Sequence, residues 1–156
     1  MKRPSFSEPP DLWELDGSVR DIYILEASEA DWLSLFAVAE RYPHSYTFGG
    51  EAGQLPTPGE IFSNRSGSHL LTIIVGSAAV NCHFFIPTEI ELDVDPREVL
   101  LPTTHEQILE FLESLARETR KGLTVTAENS PELPFLSYEF PAAKWVVHMP
   151  KYTNDA

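Results

Sequence analysis

The fold is decided by residues 69–95, which read HLLTIIVGSAAVNCHFFIPTEIELDVD. This stretch opens with an apolar run rich in β-branched residues, 70–75, followed by a Gly-Ser pair. Such runs favour β-strands, and a glycine at the first position of a two-residue loop favours a tight hairpin turn. Further strands are predicted over 78–86 and 90–95. The sequence therefore predicts a three-stranded antiparallel meander over 69–95.

The hydrophobic pattern of the second and third strands predicts their register. A three-residue loop, 87–89, pairs Phe84 with Leu92 and Cys82 with Val94, which places the apolar residues on one buried face. A two-residue loop would mix core residues and acids on the same side. We therefore expect Cys82 to be a small core side chain. The opposite face is then predicted to carry a polar interaction surface made of Asn81, His83, Phe85, Glu91, Asp93 and Asp95.

His83 and Asp93 are predicted cross-strand neighbours with two interpretations. As chemistry, a histidine oriented by a carboxylate could be a general base or one end of a metal site. As structure, an exposed cross-strand pair contributes some tenths of a kcal/mol. We favour the structural interpretation, because the motifs of serine hydrolases, zinc proteases and nucleotide-binding loops do not occur in the chain. We expect no metal and no cofactor.

Two helices are predicted to flank the meander, over 28–42 and over 104–121. Both show apolar residues at i, i+3, i+4 and i+7. The second is expected to begin with a capping box formed by Thr103 and Glu106 and to end at Gly122. With weaker strand signals on either side, the sequence predicts an α+β domain: an antiparallel sheet of about five to seven strands with both helices on one face.

The remaining segments set the predicted domain boundaries. Residues 1–17 carry several prolines and no periodicity, which predicts a loosely ordered N-terminal arm. A single domain is expected over 18–150, followed by a short tail, 151–156. The stretch 49–67 is rich in Gly, Pro, Ser and Asn and is predicted to be the longest loop, a kind of segment that often carries function.

Composition limits the classes of function. Eleven basic and 24 acidic residues give a formal net charge of −13. Such a field repels nucleic-acid backbones and anionic membranes and attracts a basic protein partner. The single cysteine excludes an internal disulfide. Since the first residues lack the apolar run of a signal peptide, a cytoplasmic location is expected.

Segments 20–23, 83–99 and 123–129 resemble a bacterial family to which no function is assigned, and that resemblance implies no catalytic residue. In size, charge and architecture alone, the chain is similar to the small acidic immunity proteins that bacteria use to neutralise toxins. The sequence therefore favours a non-catalytic binding protein that presents its acidic sheet face to a basic protein partner.

Two alternatives stay open at this point. One is an enzyme with a non-standard site that uses His83 and Asp93. The other is a homo-oligomer, since Leu70, Ile74 and Phe85 are predicted on the face opposite the helices and a second copy would cover them.

Overall fold

The computed structural model describes residues 2–149, so the predicted tail at 151–156 lies outside the described residues. Within this range the chain forms three α-helices, one short 3-10 helix and one sheet. In chain order the elements are β1 (Arg20–Leu25), α1 (Glu29–Ala39), β2 (His44–Phe48), β3 (Glu51–Gly53), α2 (Pro58–Ser63), β4 (His69–Val75), β5 (Ala78–Cys82), β6 (Glu89–Val94), the 3-10 helix (Pro96–Glu98), α3 (Pro102–Thr119), β7 (Leu123–Ala127), β8 (Ser130–Glu139) and β9 (Lys144–Val147).

The described residues contain nine strands, all in one antiparallel sheet with the order β3-β2-β4-β5-β6-β1-β7-β8-β9. The α+β class and the meander, β4 to β6, are confirmed. The predicted number of five to seven strands is wrong, because β3 forms inside 49–67 and the weaker strand signals in the last part of the domain all form strands. β1 occupies the middle of the sheet, where it pairs with β6 on one side and β7 on the other.

The prediction of one irregular loop over 49–67 is wrong, since this stretch contains β3 and α2. Helix α2 begins with Pro58 at its first position, which proline favours. The Thr57 hydroxyl accepts a hydrogen bond from Glu60 N, and the Glu60 carboxylate accepts one from Thr57 N. This capping box is visible in the sequence and explains why a helix starts here.

The register between β5 and β6 differs from the predicted one by two residues. Cys82 pairs with Leu92, and Asn81 pairs with Asp93, whereas the predicted partners lie two residues further along β6. Because side chains alternate with a period of two, this shift keeps each residue on its predicted face.

β5 ends at Cys82 instead of continuing to residue 86 as predicted. Phe84 has a φ of 57°, which is unusual for a bulky residue. Its ring is buried and packs against the rings of Trp32, Phe36 and Phe62. This aromatic cluster holds the chain in a conformation that an extended strand excludes.

Helices α1 and α3 pack against each other and contribute their apolar stripes to one core under the sheet. Their bounds differ from the predicted 28–42 and 104–121 by a few residues. The predicted capping box of Thr103 and Glu106 is wrong. Leu101 occupies the N-cap without a side-chain hydrogen bond, and Pro102 takes the first helical position, which suits its fixed φ.

The prediction that α3 ends at Gly122 is wrong. The C-cap is Arg120 in the left-handed conformation, with a φ of 58°. Gly122 serves a different purpose. A Cβ at this position would lie 2.8 Å from the carbonyl oxygen of Tyr138. The glycine therefore lets the chain between α3 and β7 pass close to β8.

Residues 2–17 contain turns but neither helix nor strand, and they lie against the domain. Leu12 is part of the main core. The Arg20 side chain, only 1% exposed, donates to three carbonyl oxygens of this arm, among them that of Leu12. Nearer its start, Arg3 donates two hydrogen bonds of 2.9 Å to the buried carboxylate of Glu113. Buried polar contacts therefore attach the arm at several points.

Candidate interaction surface

Alternation along the strands gives the sheet one face under the helices and one opposite face, called here the open face. In β6, the side chains of Ile90 and Leu92 are buried toward the helices. The intervening Glu89, Glu91 and Asp93 project from the open face, where they are only partly buried. This arrangement follows from the period of two in a pleated strand.

Four carboxylates lie on this side of the sheet where β1 meets β6, three of them partly exposed and Asp21 only 2% exposed. In this pairing Asp21 lies opposite Asp93, and Tyr23 lies opposite Glu91. Glu89 extends the row along β6. We call the set Asp21, Glu89, Glu91 and Asp93 the acidic face.

Burial and mutual repulsion disturb the ionisation of the acidic face. Desolvation raises the pKa of Glu91 to about 7, and the charges of Asp21, Glu89 and Asp93 add to this shift. Burial also raises the pKa of Asp21, although its Oδ2 accepts a hydrogen bond of 2.6 Å from Asn129 N. No cation of the described chain contributes to either shift. Ionisation of Glu91 and Asp21 is therefore costly in the free protein.

A chain of polar contacts runs from β4 across β5 to Asp93. Thr72 Oγ1 donates to Asn81 Oδ1 over 3.1 Å, and Asn81 Nδ2 donates to Asp93 Oδ1 over 3.1 Å. His83 Nε2 lies 3.1 Å from Asp93 Oδ2. The ring of Phe85 stacks on that of His83, with centroids 5.5 Å apart. Both oxygens of Asp93 are thereby held, and an aromatic pair borders the acidic face.

Asp95 differs from the other residues predicted for this surface, because it is neutralised by a neighbour. Arg97 donates to Asp95 Oδ2 through Nη2 over 2.6 Å and through Nε over 3.0 Å. These hydrogen bonds lower the pKa of Asp95. The structure groups the remaining predicted residues around Asp93.

Asp21 and Tyr23 lie on the same side of the sheet as the predicted residues but were not among them, and they are only 2% and 6% exposed. The alternation over 20–24 does indicate that both point away from Ile22 and Ile24. The local sequence does not reveal that β1 lies beside β6. That pairing places Tyr23 opposite Glu91 and Asp21 opposite Asp93.

The His83 and Asp93 side chains form a pair on the protein surface. Their side chains are 41% and 20% exposed. The cavity beside His83, about 410 Å³, is lined also by Arg65 and Phe85 but not by Asp93. Cys82 is buried on the opposite face, as predicted, and burial raises its pKa to about 12. Over residues 2–149, no three His, Cys, Asp or Glu side chains are grouped to hold a metal ion.

A scan of the chain against models of protein families finds no match, and a search of curated proteins finds no similar sequence. Every helix of the described chain is too short or too polar to cross a membrane.

Proposed function

We propose that the protein is a non-catalytic binding protein whose acidic face binds a basic partner protein. The observation that carries the proposal is the row of four carboxylates where β1 meets β6, three of them partly exposed. Desolvation raises the pKa of Glu91 to about 7, and repulsion from Asp21, Glu89 and Asp93 adds to this shift, so an ionised Glu91 destabilises the free protein. A lysine or arginine of a partner placed against Glu91 would relieve that repulsion, so binding is favoured over the free state.

The aromatic border supports the same function. Phe85 is 54% exposed and stacks on His83 next to Asp93. Exposed aromatic side chains ringed by polar groups are typical of the residues that carry most of the binding energy at interfaces. Charge would bring the partner to this surface, and Phe85 would supply apolar contact once it is bound.

The likeness to acidic immunity proteins in size and charge favours a basic toxin as the partner. In this proposal the protein covers a basic surface of the toxin and inhibits it, without chemistry of its own. We place this encounter in the cytoplasm, as expected from the sequence.

The test compares two charge reversals of equal size. Glu91→Lys changes the acidic face, while Glu51→Lys makes the same change on exposed β3 at the edge of the sheet. Each immobilised variant is used to capture proteins from a lysate of the native host, and captured proteins are identified by mass spectrometry. Wild type and Glu51→Lys should retain the same basic protein at low salt, and Glu91→Lys should lose it. High salt should release it, because exposed charges are screened.

Two results would contradict the proposal. One is retention of the same partner by Glu91→Lys at the wild-type level. The other is binding that does not weaken as salt rises.

Self-association is a second candidate, favoured by the exposure of Ile74 and Phe85, at 39% and 54%. Copies of a chain with a net charge of −13 repel each other, so added salt should strengthen a homo-oligomer. Binding to a basic protein has the opposite salt dependence. Light scattering over a range of salt concentrations separates the two, and a monomer at high protein concentration in high salt excludes self-association.

A further inference from the structure

A surface groove of about 680 Å³ adjoins the acidic face. It lies where the end of β1, the start of β7 and the end of β8 come together. Its apolar lining includes Leu25, Phe140 and Pro141, and Thr124 and Ser137 contribute hydroxyl groups. We call this cavity the end groove. Leu25 is 58% exposed there, so its apolar surface is available for contact with a partner.

Tyr23 connects the end groove to the acidic face. It lines the groove and pairs with Glu91 on one side and with Thr124 on the other. Neighbouring strands lie roughly 4.8 Å apart, so Glu91 and Thr124 are separated by roughly 10 Å across β1. About three extended residues span that distance. One short segment of a partner can therefore reach both places.

The charged residues around the end groove do not form an anion site. Glu26 and Glu139 line the groove and are both exposed. Lys121 also lines it, but its ammonium group binds the carboxylate of Asp31 at 2.5 Å. The guanidinium of Arg120 lies over an aromatic ring of the groove wall. Both nearby cations are engaged, and the exposed carboxylates of Glu26 and Glu139 line the groove, so an acidic ligand is disfavoured. The groove is better suited to an apolar group that lies next to a cation.

We infer that the end groove receives a large apolar side chain of the basic partner, about three residues from the lysine or arginine that meets Glu91. This inference rests on the proposed function of the acidic face. Cavities of this volume hold ligand-sized apolar groups. The charged contact and the apolar anchor would affect different rates. Charge speeds association, and the buried anchor slows dissociation.

The test uses two synthetic peptides, one with a tryptophan three residues away from a lysine and one with serine in place of the tryptophan. Their affinities for the full chain are measured by NMR titration. The tryptophan peptide should bind about tenfold more tightly, since it buries apolar surface that the serine peptide lacks. Leu25→Ser should remove this advantage. Leu100→Ser is the matched control, because Leu100 is similarly exposed, at 61%, just before α3.

Each outcome decides one of the two proposals. Equal affinity of the two peptides, or an advantage of tryptophan that survives Leu25→Ser, would overturn the inference about the groove and leave the acidic face in place. If the serine peptide binds Glu91→Lys as tightly as wild type, the acidic face itself fails. Shifted signals at both Leu25 and Glu91 with the tryptophan peptide alone would support the inference.

Discussion

Trp13 donates its indole N–H to Nδ1 of the buried His105 over 3.0 Å. The other ring nitrogen, Nε2, lies 2.8 Å from the carbonyl oxygen of Pro4, to which it donates. The indole can only donate and the carbonyl can only accept, so His105 is neutral, with its proton on Nε2. Protonation of Nδ1 would set two donors against each other. The attachment of the N-terminal arm therefore depends on a neutral His105.

Acid should weaken this attachment. Burial lowers the pKa of His105 from its ordinary 6.5, so below that pH the unfolded chain gains a proton that the folded chain resists. The free energy of unfolding should consequently fall as the pH drops below 6.5 toward the folded-state pKa. Urea unfolding at a series of pH values measures the effect. It is best done in a Glu91→Gln background, because Glu91 titrates with the opposite sign in this range.

The variant Trp13→Phe provides the control for His105. It removes the indole donor, so Nδ1 can take a proton at less cost, and the pKa of His105 measured by NMR should rise toward its ordinary value. A wild-type pKa at or above 6.5 would contradict the proposed role of burial.

Glu91→Gln should stabilise the protein near pH 8. The pKa of Glu91 rises from 4.5 to about 7 on folding, so the folded chain binds this proton more tightly and stability declines as the pH rises through that window. Removing the charge should add about 1–2 kcal/mol near pH 8, after allowance for solvent screening, and almost nothing below about pH 4, where the carboxyl is protonated in both states. Glu51→Gln, an exposed change on β3, should have no effect at either pH. A loss of stability in Glu91→Gln near pH 8 would show that the ionised carboxylate does not destabilise the folded chain.

Gly122→Ala should destabilise the protein by about 2 kcal/mol, because the new Cβ would lie 2.8 Å from a backbone oxygen of Tyr138 and force the strands apart. Gly59→Ala in α2 meets nothing within 4 Å and should add about 0.5–1 kcal/mol through helix propensity. Chemical denaturation of the two variants measures the contrast. Equal effects would mean that the close approach at Gly122 is unimportant.

Arg20→Lys should cost about 2–4 kcal/mol. A lysine has one donor centre and cannot reproduce the fork with which the guanidinium reaches several arm carbonyls at once. The arm should also become sensitive to limited proteolysis. Arg97→Lys, where the side chain is 78% exposed, should leave stability unchanged within the error of the measurement. Resistance of the arm to protease in Arg20→Lys would argue that Leu12 alone holds it.

Local patterns were sufficient to predict the meander and its first turn. The apolar run of β4 and the alternation in β6 depend only on neighbouring residues, and Gly76 has the positive φ, 64°, that its hairpin position requires. The same alternation placed His83 and Asp93 on one face. Each of these features needs no knowledge of distant parts of the chain.

The remaining features depend on contacts between distant segments. The strand β5 stops early because Phe84 finds aromatic partners on α1 and α2, and no signal near Phe84 reveals them. Asp21 joins the acidic face only because β1 inserts between β6 and β7. The arm attaches through Glu113 and His105, which are ordinary helix residues in the sequence of α3.

The central position of β1 has a consequence during synthesis on the ribosome. β1 is the first strand to emerge, but both of its neighbours, β6 and β7, are translated much later. At about 5–20 residues per second, the roughly 60 residues between β1 and β6 take several seconds to appear. Throughout that interval both edges of β1 lack their partner strands, so the sheet cannot close around β1 until β6 and β7 have been made.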